Sequence, residues 1–207
     1  MARDAWRFLL PLLVLAAAAF ALRWPGAGTA VLALAGFVAY FFRDPERAVP
    51  EGEGLIRAPA DGRVVAIGPC KDVQGSLGEE LVQVSIFLSV FDVHVNRAPI
   101  PGTVVERTYR RGQFMAAFAD EASERNEQNL LRLTSPRFEC AMRQIAGLIA
   151  RRIVCWVEPG DRLAAGQRIG LIRFGSRVDL LLPAEVSLRV RVGERVVGGL
   201  TVMGEIP

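Results

Sequence analysis

Leu81-Val82-Gln83-Val84-Ser85-Ile86-Phe87-Leu88 is a short stretch of β-branched and apolar residues set between turn-forming segments, and it reads as a β-strand. Similar runs recur along the chain at Arg63–Ile67, Val93–Val95, Thr103–Thr108, Leu130–Thr134, Phe138–Ile145, Arg151–Val157, Arg168–Ile172, Val178–Leu182 and Ser187–Val192. Gly, Pro and Asp separate them. The pattern predicts a mainly β domain with one or two short helices, over Phe114–Asn126 and Ile145–Arg152. A Gly-bearing turn beside a strand occurs twice, at Ala58–Val65 and at Glu158–Gln167, as it does in small β-sandwich or barrel-sandwich-hybrid folds of the lipoyl-carrier kind.

Ahead of the domain, Phe8–Leu22 and Trp24–Phe42 are uncharged, and only Arg23 divides them. A helix needs about 20 residues to cross a hydrocarbon core about 30 Å thick, so the first run must borrow Trp6 and a snorkelling Arg7. The expectation is a hairpin over 1–42, transmembrane or re-entrant, then a charged, Pro/Gly-rich linker over 43–57 and a folded domain over 58–207. Arg3 and Arg7 precede the hairpin and Arg43 and Arg47 follow it, which puts both ends and the domain on the cytoplasmic side of the cell membrane. A cleaved signal peptide is the rival reading, and the second apolar run argues against it.

Composition narrows the function. The net charge is +3, with Arg scattered along the chain and no basic run interleaved with aromatics, so nucleic acid is not the expected partner. A charged fraction of 23% against 51% hydrophobic residues excludes a disordered chain. Cys70, Cys140 and Cys155 are odd in number and lack metal-type spacing, and with His94 the only histidine no metal site is expected. Cys140 and Cys155 sit in apolar runs and read as core.

Three polar residues are candidates for chemistry, and each has a plain structural alternative. His94, in Phe91-Asp92-Val93-His94-Val95-Asn96-Arg97, would share a strand face with Asp92 and Asn96, where a lone His is more often structural. Ser176 follows Gly175 between two strand runs, where Gly-Ser in a turn is common. Asp61 sits in an Asp-Gly turn. Arg97, Arg110, Arg111 and Asn126 are candidate anion contacts by charge and position, and surface residues by default.

The contexts of these residues carry more than the residues alone. Phe41-Phe42-Arg43-Asp44-Pro45-Glu46-Arg47, Ala58-Pro59-Ala60-Asp61-Gly62, Phe87-Leu88-Ser89 leading to Val93-His94-Val95-Asn96-Arg97, Ala122–Asn129 and Phe174-Gly175-Ser176, in that order, resemble the short, membrane-bound form of the phosphatidylserine decarboxylase proenzyme family. The resemblance runs from Phe41 to the C-terminus. It departs from the family pattern at Phe91, where longer relatives carry a second His, at Arg177, where many have Thr, and at Gln128 in the block usually read Asn-Glu-Arg-Asn.

The resemblance implies an Asp, His and Ser set at Asp61, His94 and Ser176. Ser176 would attack the carbonyl of Gly175, with His94 as general base and Asp61 holding the imidazole. The resulting ester would eliminate and hydrolyse, leaving a pyruvoyl group at residue 176 and fragments 1–175 and 176–207 held as a heterodimer. That group is the implied cofactor, formed without metal or Lys-bound pyridoxal; Lys71 is the only lysine. The implied substrate is phosphatidylserine in the membrane, converted to phosphatidylethanolamine, with a protonated His94 returning the proton. A homo-oligomer is compatible with all of this. The alternatives are a pyruvoyl decarboxylase of a soluble amino acid and a non-enzymatic lipoyl-carrier-like module of a membrane complex.

Overall fold

The computed structural model describes residues 1–70, 80–115, 125–147, 152–173 and 176–206. The chain divides into two units, Met1–Glu46 and Arg47–Pro207.

In the first unit a single helical turn, Arg3–Ala5, leads into α1 (Trp6–Ala21), and α2 (Pro25–Phe41) returns. Pro25 opens α2, where its missing N–H has no intrahelical partner to lose. The reversal needs one left-handed residue, Arg23 at φ 60°, and the N–H of Trp24 caps the carbonyl of Ala19. Gly28 lets α2 approach closely, since a Cβ there would fall 2.7 Å from the Phe20 ring. The open ends meet through Phe8 stacked on Phe42 and the Ala2 N–H donating to the Phe42 carbonyl at 2.9 Å. Arg3–Ala21 is long and apolar enough to cross a membrane by length and composition, and Pro25–Phe41 is a shorter apolar helix. Leu10, Val14, Leu15 and Leu34 expose half or more of their surface.

The second unit is mainly β. Its largest sheet orders β13 (Arg195–Val196), β2 (Gly62–Cys70), β3 (Leu81–Leu88), β11 (Ser176–Pro183), β7 (Glu139–Ile145), β6 (Gln128–Thr134), β5 (Gly102–Arg110) and β9 (Arg162–Leu163). Two smaller sheets order β1 (Leu55–Arg57), β14 (Val202–Glu205) and β12 (Ser187–Leu188), and β4 (Val95–Arg97), β10 (Arg168–Ile172) and β8 (Ile153–Cys155). Every pairing among these strands is antiparallel.

One apolar core draws on all three sheets: Ile86, Leu131, Met142, Val178 and Leu180 from the large one, Ile56 and Met203 from the second, Ile169 and Ile172 from the third. Each fully buried side chain of this kind contributes about 1.5–3 kcal/mol. β11 is buried from Ser176 to Leu182, which explains its apolar run. Its second face carries Arg177, Asp179 and Leu181, with Leu81 and Ala141 beside Leu181.

The two Gly-bearing turns read from the sequence both bond to the same stretch. Arg97 N–H donates to the Pro59 carbonyl and Ala98 N–H to the Gln167 carbonyl, each at 2.8 Å.

Most sequence runs became strands close to their expected limits. Leu55–Arg57, expected as the end of the linker, is instead β1, paired with β14. Val93–Val95 shifts to Val95–Arg97, because Asp92 closes a turn onto Ser89: its carboxylate accepts from the Ser89 N–H and hydroxyl at 2.9 and 2.7 Å. Ser187–Val192 keeps strand pairing only at Ser187–Leu188. The expected helices fall largely on 116–124 and 148–151, outside the described residues.

Candidate active site

Three distant segments converge at one end of the large sheet. Ser176, the first residue of β11, opposes Leu88, the last residue of β3. Across β3, Gly62 lies against the carbonyl of Phe87 so closely that a Cβ would meet its oxygen at 2.1 Å; the turn Pro59–Gly62 is thereby fixed beside the end of β3. His94 immediately precedes β4, whose Arg97 bonds to Pro59, and the Ile172 N–H of β10 donates to the His94 carbonyl at 3.4 Å. Phe174 and Gly175, and with Gly175 the expected cleavage bond, lie outside the described residues.

Ser176 is fully buried, and its Oγ has no hydrogen-bond partner among the described residues. A buried hydroxyl without a partner is costly in an ordinary core, which makes this one noteworthy.

His94 is buried as well. Its Nδ1 lies 3.0 Å from the backbone carbonyl of Asp92. A carbonyl oxygen only accepts, so Nδ1 carries the proton and Nε2 is the basic nitrogen of the neutral ring. The Asp92 carboxylate faces elsewhere, accepting from Ser89 and from Arg195 Nη2 at 2.5 Å.

Asp61 is gripped by Arg47. Two bonds, Nη1–Oδ1 at 2.6 Å and Nη2–Oδ2 at 2.9 Å, form a bidentate fork, and the Gly198 N–H donates to Oδ1 at 2.8 Å. Arg47 also donates to the Gly198 carbonyl. Its side chain is 4% exposed. Of the cations flanking the hairpin, Arg47 is therefore committed to the second unit, while Arg43 rests over the Tyr40 ring at 3.9 Å.

Beside the site, Arg177 turns to the opposite face of β11. Its Nε pairs with Asp179 at 2.6 Å and its Nη2 donates to Ser85 at 2.8 Å. Burial also lowers the affinity of the neighbouring Arg143 for its proton, partly offset by the charge of Asp179. Of the candidate anion contacts, Asn126 is a buried structural residue, bonding Met115 and the Ala146 carbonyl. Arg97 donates to the Gly166 carbonyl at 3.1 Å. Arg110 and Arg111 are exposed.

Sequence reasoning missed Asp92 as the group that orients His94, Arg47 as the partner of Asp61, and a buried set of carboxamides at Asn96, Asn129 and Gln144. Gln144 continues the alternation Cys140, Met142 that faces the core, and a polar residue at that place was the visible signal. Among the described residues no cluster of three potential ligands could hold a metal ion.

Residues 34–204 match the family profile described as phosphatidylserine decarboxylase. The chain is 48% identical over 208 residues to the phosphatidylserine decarboxylase proenzyme of Symbiobacterium thermophilum, covering 100% of this chain and 96% of that protein. It is 47% identical over 209 residues to the proenzyme of the same name from Magnetococcus marinus, covering 100% and 95%. For that of Geobacter metallireducens the figures are 48% identity, 84% and 80%. With its profile match spanning most of the sequence and near half-identity along nearly the full length of such relatives, the chain belongs to the phosphatidylserine decarboxylase family.

Proposed function

We propose that the chain is a proenzyme that cuts itself between Gly175 and Ser176, converts Ser176 to a pyruvoyl group, and then removes the carboxyl group of phosphatidylserine. The reaction is that of a carboxy-lyase, the activity of its family. The observation that carries the self-cleavage is the buried Ser176 hydroxyl with no partner among the described residues, at the end of the sheet where the His94 segment also arrives.

Ser176 is the nucleophile and His94 the base that takes its proton on Nε2. The Asp92 carbonyl performs the orienting part of the role expected of Asp61. Asp61 stays in the set as the acidic member, fixed by Arg47 and Gly198, its charge favouring the imidazolium. Burial suits the group formed at residue 176, because it limits the access of water to a reactive ketone. When present, that ketone supplies an electron sink for the bond broken as carbon dioxide departs. The protonated imidazole of His94 returns the proton, alone, since Phe91 stands where longer relatives have a second His.

The second unit adopts a barrel-sandwich-hybrid-like fold, supported by the two turns that grip Arg97–Ala98. The first unit is a membrane hairpin, transmembrane or re-entrant, supported by its exposed Leu and Val side chains. It keeps the enzyme beside a substrate whose acyl chains never leave the bilayer, with the catalytic unit on the cytoplasmic side. The two cleavage fragments remain associated, because β11 pairs with β3 and β7 from the other fragment over most of its length.

The test is release of labelled carbon dioxide from carboxyl-labelled phosphatidylserine in mixed micelles. Activity should disappear after treatment with a ketone reagent such as phenylhydrazine. Activity that survives this treatment, or a preference for free serine, would overturn the assignment.

A further inference from the structure

Asn129, Gln144 and Asn96, on three different strands, are joined by hydrogen bonds that all run one way. The Asn129 amide donates to Gln144 Oε1 at 2.9 Å, and the Gln144 amide donates to Asn96 Oδ1 at 2.7 Å. Arg107 sets the direction: its Nε can only donate and faces Asn129 Oδ1 at 3.4 Å, so each following carboxamide must turn its oxygen toward its predecessor. All three carboxamides are buried. The series ends at Asn96 Nδ2, buried and without an acceptor among the described residues.

The position of this last donor matters. Gln144 opposes Val178 across β7 and β11, and Val178 lies two residues from Ser176 on the same face of the sheet. Asn96 itself lies two residues from His94. An unused donor and an unused hydroxyl, both buried, thus lie at the same end of the fold. A relay of polar groups that leaves its final N–H unpaired is costly unless an acceptor arrives during function.

We propose that Asn96 Nδ2–H is the oxyanion donor of self-cleavage, aimed by Gln144 and Asn129; this rests on the serine attack proposed above. In that attack the Ser176 Oγ–C bond forms, the carbonyl π pair moves onto oxygen, and the hydroxyl proton passes to His94. On collapse the C–N bond breaks, the proton goes to the nitrogen of residue 176, and an ester remains. Negative charge sits on the carbonyl oxygen only in the tetrahedral species, so a donor fixed there accelerates the step without stabilising the starting amide. Head-to-tail alignment polarises each carboxamide and strengthens the last N–H.

The full-length chain carrying Asn96→Asp or Gln144→Glu tests this with little change of shape. Asp at 96 accepts and cannot donate; Glu at 144 turns the Asn96 amide toward itself. Newly made protein is followed in detergent for conversion to two chains, with parallel samples in hydroxylamine, which cuts esters and spares amides. Asn96→Asp should slow conversion by about 10²–10³-fold, with no hydroxylamine-sensitive ester accumulating, because the block precedes the ester. Gln144→Glu should slow it in the same manner, and the double variant should be no slower than Asn96→Asp alone. Conversion of Asn96→Asp at the wild-type rate, or slow conversion with a build-up of ester, would overturn the proposal. If Asn96→Asp does not fold, Gln144→Glu decides by the same criteria. An unmodified chain that never converts would instead overturn serine attack itself.

Discussion

Arg47 and Asp61 meet at two points, 2.6 and 2.9 Å apart, and the Gly198 N–H completes the hold on the carboxylate. The first residue of the second unit thereby fixes the acidic member of the proposed catalytic set. Asp61→Asn is expected to slow self-cleavage about 10²–10⁴-fold by removing the charge that favours the imidazolium. Arg47→Ala leaves that charge in place but releases it, and a loss of roughly tenfold is expected. Rates come from the fraction of two-chain protein over time. Wild-type rates in both variants would remove Asp61 from the mechanism.

His94→Ala should slow conversion by about 10²–10⁴-fold, the range a positioned base contributes. Because the tautomer is set by a backbone carbonyl, the His94 ring should keep its orientation in Asp61→Asn. Nitrogen NMR of the single histidine reports this directly: Nδ1 should remain the protonated nitrogen in both proteins. A switch of tautomer in Asp61→Asn would mean that the carboxylate does the orienting.

On the other face of β11, the Arg177–Asp179 pair is nearly dry, with 6% and 0% of the two side chains exposed. Removing one partner leaves a buried charge, so Asp179→Leu should destabilise the uncut Ser176→Ala chain by about 3–5 kcal/mol. Arg177→Met combined with Asp179→Leu should recover most of that loss. Urea unfolding of the three proteins checks the prediction, and a double variant less stable than Asp179→Leu alone would contradict it.

Burial pushes the Cys140 thiol far above its ordinary value of 9.0. A folded pKa raised above the unfolded one means that the contribution to stability is complete below pH 9 and is lost as the pH climbs past the unfolded value. Between pH 9 and pH 11 the Ser176→Ala chain should therefore lose stability at up to about 1.4 kcal/mol per pH unit on account of this thiol. Adding Cys140→Ala should flatten that part of the profile. An unchanged alkaline slope would show that the thiol does not contribute.

The strands that were legible in the sequence are those long enough to carry a run: β2, β3, β5, β6, β7, β10 and β11 all coincide with β-branched or apolar stretches. β1, β9, β13 and β14 were not legible. They are two to four residues long and exist because a partner is there to pair with, as β1 exists through β14. The candidate site was legible in part, through the order of the blocks that resemble the family. Ser176 and His94 could be picked out from their neighbours along the chain. The Asn96–Gln144 bond joins positions 48 apart and the Arg195–Asp92 bond positions 103 apart, and no local pattern encodes such partners. Asp61 shows the limit most clearly. Its Asp-Gly turn was apparent, whereas its bond to Arg47 depends on where the fold returns the chain.

Intact-mass measurement of the purified full-length protein bears most directly on self-cleavage at Ser176. Two species are expected, one ending at Gly175 and one beginning at residue 176 and lighter by one ammonia than a fragment starting with serine, both absent from Ser176→Ala. An active preparation whose mass is that of the whole uncut chain, with serine intact at 176, would contradict self-cleavage.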